Sequence, residues 1–193
     1  MPLFNSTDIK SKEVAALFSL ADLMSRCGEF IELSGTADAA EAYKKISVGP
    51  VKEPFDSEEY SIDELAELFF VCQIASSDEE GMEAARPITD AGSCAAVGGT
   101  IEVYLRRYVR QSEINDSGAN NIFLFFKDRV SAIQVEMMEL SMAENDIRIG
   151  SVVRTQGPHC AGVPEAVGQG EYIWATLDVT WGELDLNSGT NTG

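Results

Sequence analysis

The fold is decided by a long amphipathic segment, residues 119–143, which reads ANNIFLFFKDRVSAIQVEMMELSMA. Its large apolar side chains recur every three or four residues, the spacing that brings side chains to one face of an α-helix. Six residues define this face: Ile122, Phe126, Val130, Ile133, Met137 and Leu140. Burying such side chains contributes roughly 1.5–3 kcal/mol each before conformational entropy is subtracted. We therefore predict a helix that packs its apolar face on a β-sheet.

The sheet is predicted from segments before and after this helix. Four strands are expected, at residues 69–75, 100–109, 146–155 and 171–183. In the second of them, Ile101, Val103 and Leu105 face one way, and Arg107 is the exception on this apolar face. Such alternation is typical of antiparallel strands with one buried face. The predicted fold class is thus α+β, a small antiparallel four-stranded sheet packed by one long helix.

The remaining segments are predicted as helices, turns, long loops and a tail. Helical spacing predicts N-terminal helices at residues 12–31, with a break at Gly28, and at residues 36–45. Long loops are expected at residues 76–99 and 156–170, and a turn at residues 112–118. We expect a single α+β domain over residues 1–183, with N-terminal helices in 11–45, a sheet-and-helix core in 68–183 and a flexible tail at 184–193.

The charge of the chain is strongly negative. Its formal net charge is −18, from 32 acidic and 14 basic residues. Eleven acids and no lysine or arginine lie between Glu53 and Glu83. Phosphates bind cations, so direct binding to nucleic acid is disfavoured. Two interpretations remain open, a solvated surface that aids solubility and a negative field that lines a channel for DNA. The lumen or acidic-surface candidates are Asp78, Glu79, Glu80 and Glu83.

The sequence contains no recognisable catalytic, metal or cofactor motif. Its four cysteines are widely separated, and the single histidine, His159, is adjacent only to Cys160. Zinc sites are recognised in a sequence by close pairs of ligands, which are missing here. We predict no catalytic residue, no metal and no cofactor. A small enzyme that uses His159 and Cys160 is a distant alternative, and a small-ligand binding module, which needs an apolar pocket, is another.

The chain also lacks the patterns of membrane insertion and secretion. No run of about 18 apolar residues exists, so no membrane span is expected. The opening MPLFNSTDIKSKEV has no basic stretch followed by an apolar one, so it does not resemble a secretory signal. We expect a protein of the cell interior.

Large polar and aromatic side chains alternate with the apolar ones on two of the predicted strands. If the long helix covers one face of the sheet, the other face exposes these rings, as protein interfaces do. The alternative is that the N-terminal helices cover this second face in a three-layer domain. Arginines cluster at the end of the same strand. The subunit-interface candidates are Tyr104, Arg106, Arg107, Tyr108, Arg110, Tyr172 and Trp174.

Several phrases of the sequence resemble a known family. They are LADLMSRC at residues 20–27, ADAAEA at 37–42, VSAIQVEM at 130–137, GP at 157–158 and GEYIWATLDVTWG at 170–182. In this order they resemble the tail terminator or tail-completion proteins of the neck of tailed bacteriophages. The resemblance covers most of the chain from Val14 to Gly182, and it leaves out the acidic stretch and the tail.

The resemblance implies a structural virion protein of the phage neck and tail, assembled in the host cytoplasm. Its subunits would form a homo-oligomeric, hexameric ring that terminates the tail tube and joins it to the head-side connector. The implied partners are the tail tube protein and the head-side connector or stopper proteins, while DNA passes through without specific binding. A head-tail adaptor or stopper protein of the same neck is the nearest alternative, since it shares partners and ring symmetry.

Overall fold

The computed structural model describes residues 12–48, 72–76, 86–87, 95–143, 148–162 and 170–184. Within these ranges the chain forms five helices and six strands. The helices are α1 (Lys12–Arg26), α2 (Gly28–Ser34), α3 (Ala39–Tyr43), α4 (Gln111–Ser117) and α5 (Ala119–Ala143). The strands are β1 (Ile46–Val48), β2 (Cys72–Ser76), β3 (Arg86–Pro87), β4 (Ala95–Arg110), β5 (Arg148–Gly162) and β6 (Gly170–Leu184).

The strands form one sheet in the order β1-β2-β4-β6-β5, and β3 pairs with the beginning of β4. β1 runs parallel to β2, and every other pairing is antiparallel. The four strands expected from the sequence correspond to β2, β4, β5 and β6, so the predicted α+β class is confirmed. The sheet is larger than predicted by the two short strands β1 and β3.

One face of the sheet, called the inner face, forms the hydrophobic core with the helices. Its buried residues are Ile101, Val103, Leu105, Val109, Ile173, Ala175, Leu177, Val179 and Trp181. Buried residues of α1, α2, α3 and α5 belong to the same cluster, and Ile114 of α4 packs against it. Five of the six apolar residues predicted for the long helix are buried, and Leu140 is partly buried. Because the N-terminal helices lie on the same side as α5, the three-layer alternative is wrong.

The break between α1 and α2 is stabilised by a residue of α5. Cys27 separates the two helices in an extended conformation. Glu136 accepts hydrogen bonds from the N–H groups of Gly28 (2.8 Å) and Glu29 (3.0 Å) and from the Cys27 thiol (2.9 Å). The first N–H groups of a helix have no partner within that helix, so this carboxylate caps α2 from outside. Burial raises the pKa of Cys27, and the bond to Glu136 adds to this effect.

The segment that the sequence predicts as a turn at residues 112–118 is mostly helical, as α4. Glu113, in the first turn of α4, accepts a hydrogen bond from the N–H of Arg110, the residue before the helix (3.0 Å). A glutamate at this position of a helix satisfies a backbone donor that would otherwise lack a partner. The helix ends at Gly118, which has a positive φ of 78°.

Strands extend into both of the predicted long loops, at residues 76–99 and 156–170. β4 begins at Ala95, and its Gly98 and Gly99 pair with Gly182 and Trp181 of β6. β5 continues to Gly162, through a register shift between Gln156 and His159. β5 is an edge strand, where bulges and proline are tolerated because one side of the strand needs no ladder partner.

Candidate interaction surfaces

The face of the sheet opposite the helices, called the outer face, carries the aromatic residues predicted to lie together. Across β4 and β6, Tyr104 lies opposite Thr176, Arg106 opposite Trp174, and Tyr108 opposite Tyr172. Residues directly opposite each other in an antiparallel pair project from the same face. The register therefore places Tyr104, Tyr108, Tyr172 and Trp174 on one face, as the alternation of the sequence indicates.

The exposure of these outer-face side chains differs from the prediction. Arg106, Tyr108 and Tyr172 are only 6%, 7% and 6% exposed, whereas Tyr104 and Trp174 are half-buried. Opposite side chains on neighbouring strands lie within contact distance, so large residues in register cover one another. The expectation of a fully exposed aromatic face is wrong for Arg106, Tyr108 and Tyr172, which have little surface left for a neighbouring subunit.

The accessible part of the outer face lies towards β5. The ring of His159, which is exposed, lies 4.7 Å from that of Trp174, with an interplanar angle of 53°. Val153 of the same strand is 51% exposed and lies opposite Asp178 of β6. A large apolar side chain and an aromatic pair thus occur together on and beside the edge strand β5.

Tyr104 and Arg106, which lie on the β4 part of the outer face, are held by polar contacts. The Arg106 guanidinium carbon lies 5.6 Å from the ring centroid of Tyr104, within the range of a cation–π contact. Tyr104 Oη donates a hydrogen bond to Glu102 Oε2 (2.6 Å). Burial raises the pKa of Tyr104, and the bond to Glu102 adds to this effect, so the phenol stays protonated. These contacts fix the orientation of Tyr104 and Arg106 within the sheet.

The three arginines near the end of β4 do not form one cluster. Arg106 projects to the outer face, and Arg107 to the inner face, as the sequence predicts for this exception. Arg107 Nη2 lies 3.2 Å from Glu113 Oε1, and its guanidinium lies 6.0 Å from the ring of Phe125. Arg110 is exposed at the last position of the strand. A single interface formed by all three arginines is therefore contradicted by their positions.

A cleft of about 460 Å³ opens beside Arg107. It is lined by Glu32, Leu33, Ser34, Gly35, Lys45, Arg107, Tyr108, Arg110, Glu113 and Phe125. The volume falls within the range of ligand pockets, but such pockets are predominantly apolar, and this lining includes five charged residues. Three of these are cations in a chain whose net charge is −18. The other two are the anions Glu32 and Glu113, and Glu113 is paired with Arg107, so the cleft carries charges of both signs and differs from an apolar ligand pocket.

The structure does not bring His159 and Cys160 together. His159 lies opposite Trp174, on the outer face, while Cys160 lies opposite Ile173, which belongs to the inner face. Cys160 Sγ donates a hydrogen bond to Glu171 Oε2 (3.0 Å). Desolvation, followed by the bond to Glu171, raises the pKa of Cys160 to about 12. A nucleophilic cysteine needs the opposite shift, because the thiolate is the reactive form.

One surface was missed by the sequence prediction, which considered only the buried face of the long helix. Leu124, Val135 and Met142 of α5 are exposed. The signal was present in the sequence, because these residues are eleven and seven positions apart, about three and about two helical turns. Apolar residues at this spacing, outside the buried stripe, predict a second apolar face on the same helix.

Some predicted residues lie outside the described part of the chain. They are the acidic candidates Asp78, Glu79, Glu80 and Glu83 and the tail at residues 185–193. Among the helices within the described ranges, none is long and apolar enough to cross a bilayer. In the same ranges, no group of three or more histidine, cysteine, aspartate or glutamate side chains could hold a metal ion.

Comparison with known proteins adds no relative to these observations. No model of a known protein family matches the sequence, and no curated protein matches it.

Proposed function

We propose that this chain is a structural subunit of the neck of a tailed bacteriophage, where it forms a ring that terminates the tail tube and joins it to the head-side connector. The proposal starts from the order of the phrases that resemble tail terminator proteins. The structural observation that supports it is the outer face, where His159 and Val153 of the edge strand β5 lie with Trp174 of β6. A sheet that has its helices on the other side can offer this face to a neighbouring subunit.

A closed ring needs two different contact surfaces on each subunit, because one face meets a different face of its neighbour. The β5 side of the outer face is the first. The cleft beside Arg107 is the second, since its charged residues of both signs can pair with charged residues of the neighbouring subunit. The same negative charge suits a ring around DNA, because acidic walls do not hold phosphates.

The mass of the purified protein in solution tests the ring. Size-exclusion chromatography with light scattering should give six times the mass of one chain, and electron microscopy should show closed rings. A species that stays monomeric both alone and when mixed with tail tube protein would contradict the proposal.

The proposed contact surface is tested by Val153→Lys, which places a charge in the middle of the exposed part of the outer face. We expect the ring to dissociate at concentrations about tenfold or more above those at which the unchanged ring does, since a buried unpaired charge is costly. Val135→Lys is the matched control, because it makes the same change at a similarly exposed valine on α5. Rings that survive Val153→Lys unchanged would rule out the outer face as the subunit contact.

The tail tube separates the terminator from an adaptor or stopper. When the tail tube protein polymerises in the presence of this protein, a terminator binds tube ends and limits their length. Tubes measured by electron microscopy should therefore be shorter, in proportion to the amount of protein added. An adaptor or stopper would form a ring but leave tube length unchanged.

A further inference from the structure

The exposed side of α5 carries an apolar stripe that is separate from the core. Leu124, Val135 and Met142 are 58%, 60% and 84% exposed. Their spacing aligns them along the helix, on the side opposite the buried residues Phe126, Ile133 and Met137. Single exposed apolar residues are normal on protein surfaces, but three that align along about 27 Å of one helix can contact a single elongated partner.

The stripe has the spacing of a helix–helix seam. Its positions follow each other at intervals of four, three, four, three and four residues: Leu124, Asp128, Ser131, Val135, Met138 and Met142. This alternation keeps side chains facing a second helix packed alongside the first. Four of the six positions are apolar, of which Leu124, Val135 and Met142 are exposed and Met138 is partly buried against the core. Asp128 and Glu139, both exposed, lie towards the same flank of the stripe, and Lys127 lies towards the other.

A second copy of the chain is a poor occupant of this stripe. If two α5 helices packed antiparallel, with Leu124 opposite Met142, Asp128 would lie near Glu139 of the second copy, twice in each pair. If they packed parallel, Asp128 would meet Asp128 within the seam. Like charges that face each other in both arrangements disfavour a second copy as the partner of this stripe.

We propose that the exposed stripe of α5 is the docking site for an amphipathic helix of a different protein, one whose apolar seam is flanked by lysine or arginine. The apolar residues of that helix would cover Val135 and Met142, and its cations would pair with Asp128 and Glu139. Arg129 is a poor substitute for such cations. It lies 3.3 Å from Asp128, but its other contacts hold it on Glu29 and Glu32 of α2. Helix-in-groove recognition works in this way, with apolar anchors for affinity and charges for orientation.

Two synthetic helical peptides test the proposal with the full chain. Both carry leucine at a four-three spacing over three heptads, and they differ only in flanking lysine or flanking glutamate. Fluorescence anisotropy should show the lysine peptide binding about tenfold or more tightly than the glutamate peptide at low salt, with the difference shrinking as salt is added.

Matched variants assign the binding to the stripe. Val135→Lys should weaken binding of the lysine peptide about tenfold or more, whereas Val153→Lys, on the outer face, should leave it unchanged. The double variant Asp128→Lys with Glu139→Lys should reverse the preference, so that the glutamate peptide binds more tightly. Urea denaturation of each variant confirms that the fold is retained, which is expected because the substituted side chains are exposed.

Three results would overturn the proposal. They are equal binding of the two peptides, binding that survives Val135→Lys, and a dimer of the chain alone that Val135→Lys dissociates, which would make a second copy the occupant. The ring is tested separately, because it should be lost in Val153→Lys and retained in Val135→Lys. Failure of one proposal is therefore distinguishable from failure of the other.

Discussion

Leu177 and Thr176 are consecutive residues of β6 and are almost equally buried, at 0% and 3% exposure, but they face opposite sides of the sheet. Leu177 belongs to the apolar cluster that joins the inner face to the helices. Thr176 lies on the outer face, and among the described residues its Oγ1 has no hydrogen-bond partner. Burial on the inner face thus involves apolar groups, whereas burial on the outer face includes polar groups.

Polar contacts on the helix side of the sheet join α2 to α5, although Arg129 Nε, like Thr176 Oγ1, has no hydrogen-bond partner among the described residues. Glu136 accepts three hydrogen bonds where α2 packs on α5. Arg129 of α5 contacts Glu29 and Glu32 of α2, so two charged residues one heptad apart hold the same short helix. The comparison indicates that the helix side provides stability.

The largest expected effect is on the inner face. Leu177→Ala should lower the free energy of unfolding by about 2–5 kcal/mol, because it removes a fully buried side chain and leaves a cavity. Val153→Ala on the outer face is the control and should change it by less than about 0.5 kcal/mol. Urea denaturation followed by circular dichroism measures both. If both variants lost the same free energy of unfolding, the inner face would contribute no more to stability than the outer face.

The contact between α2 and α5 should give the next largest effect. Glu136→Ala leaves the N–H groups of Gly28 and Glu29 without their acceptor and should cost about 1–3 kcal/mol. Glu139→Ala removes an exposed carboxylate from the same helix and should cost less than about 0.5 kcal/mol. If the two variants unfold at the same urea concentration, the cap contributes nothing to stability.

The same contact predicts a dependence on pH. Burial acts to raise the pKa of Glu136, but the hydrogen bonds from Cys27, Glu29 and Gly28 together hold it below its ordinary value of 4.5. A lowered pKa in the folded state stabilises the fold above the unfolded value, and this contribution is lost as the pH falls through the folded value. The stability difference between the wild-type chain and Glu136→Gln should therefore be constant from about pH 5 to 7 and shrink below about pH 4.5. A difference that does not change down to about pH 3 would contradict this assignment.

The sequence alone predicts the helices and strands in which apolar side chains recur at regular intervals. Alternation predicted the faces of β4 and β6, including Arg107 as the exception, and the three-four spacing predicted the buried face of α5. These patterns are local, because each residue contributes through its own position in the helix or strand. The ends of β4 and β5 were less predictable. Gly98 and Gly99 have no intrinsic preference for a strand and are ordered by pairing with β6.

The features that sequence could not provide depend on contacts between distant residues. The cap on α2 comes from Glu136, 108 residues beyond Gly28, so a local pattern cannot indicate it. The burial of Tyr108 and Arg106 likewise depends on which residues lie opposite them on β6. The exposed stripe of α5 is different, because its spacing is visible in the sequence and was missed when only one apolar face was sought.

The smallest expected effect tests whether the outer face is complete in the isolated subunit. Thr176→Val replaces a buried hydroxyl without a partner by a methyl group of similar size, so it should leave the free energy of unfolding unchanged or raise it by up to about 1 kcal/mol. Thr180→Val is the control, because Thr180 Oγ1 lies 2.7 Å from Ser151 Oγ, and it should cost about 0.5–1.5 kcal/mol. A loss of similar size in Thr176→Val would mean that its hydroxyl is already satisfied within the subunit.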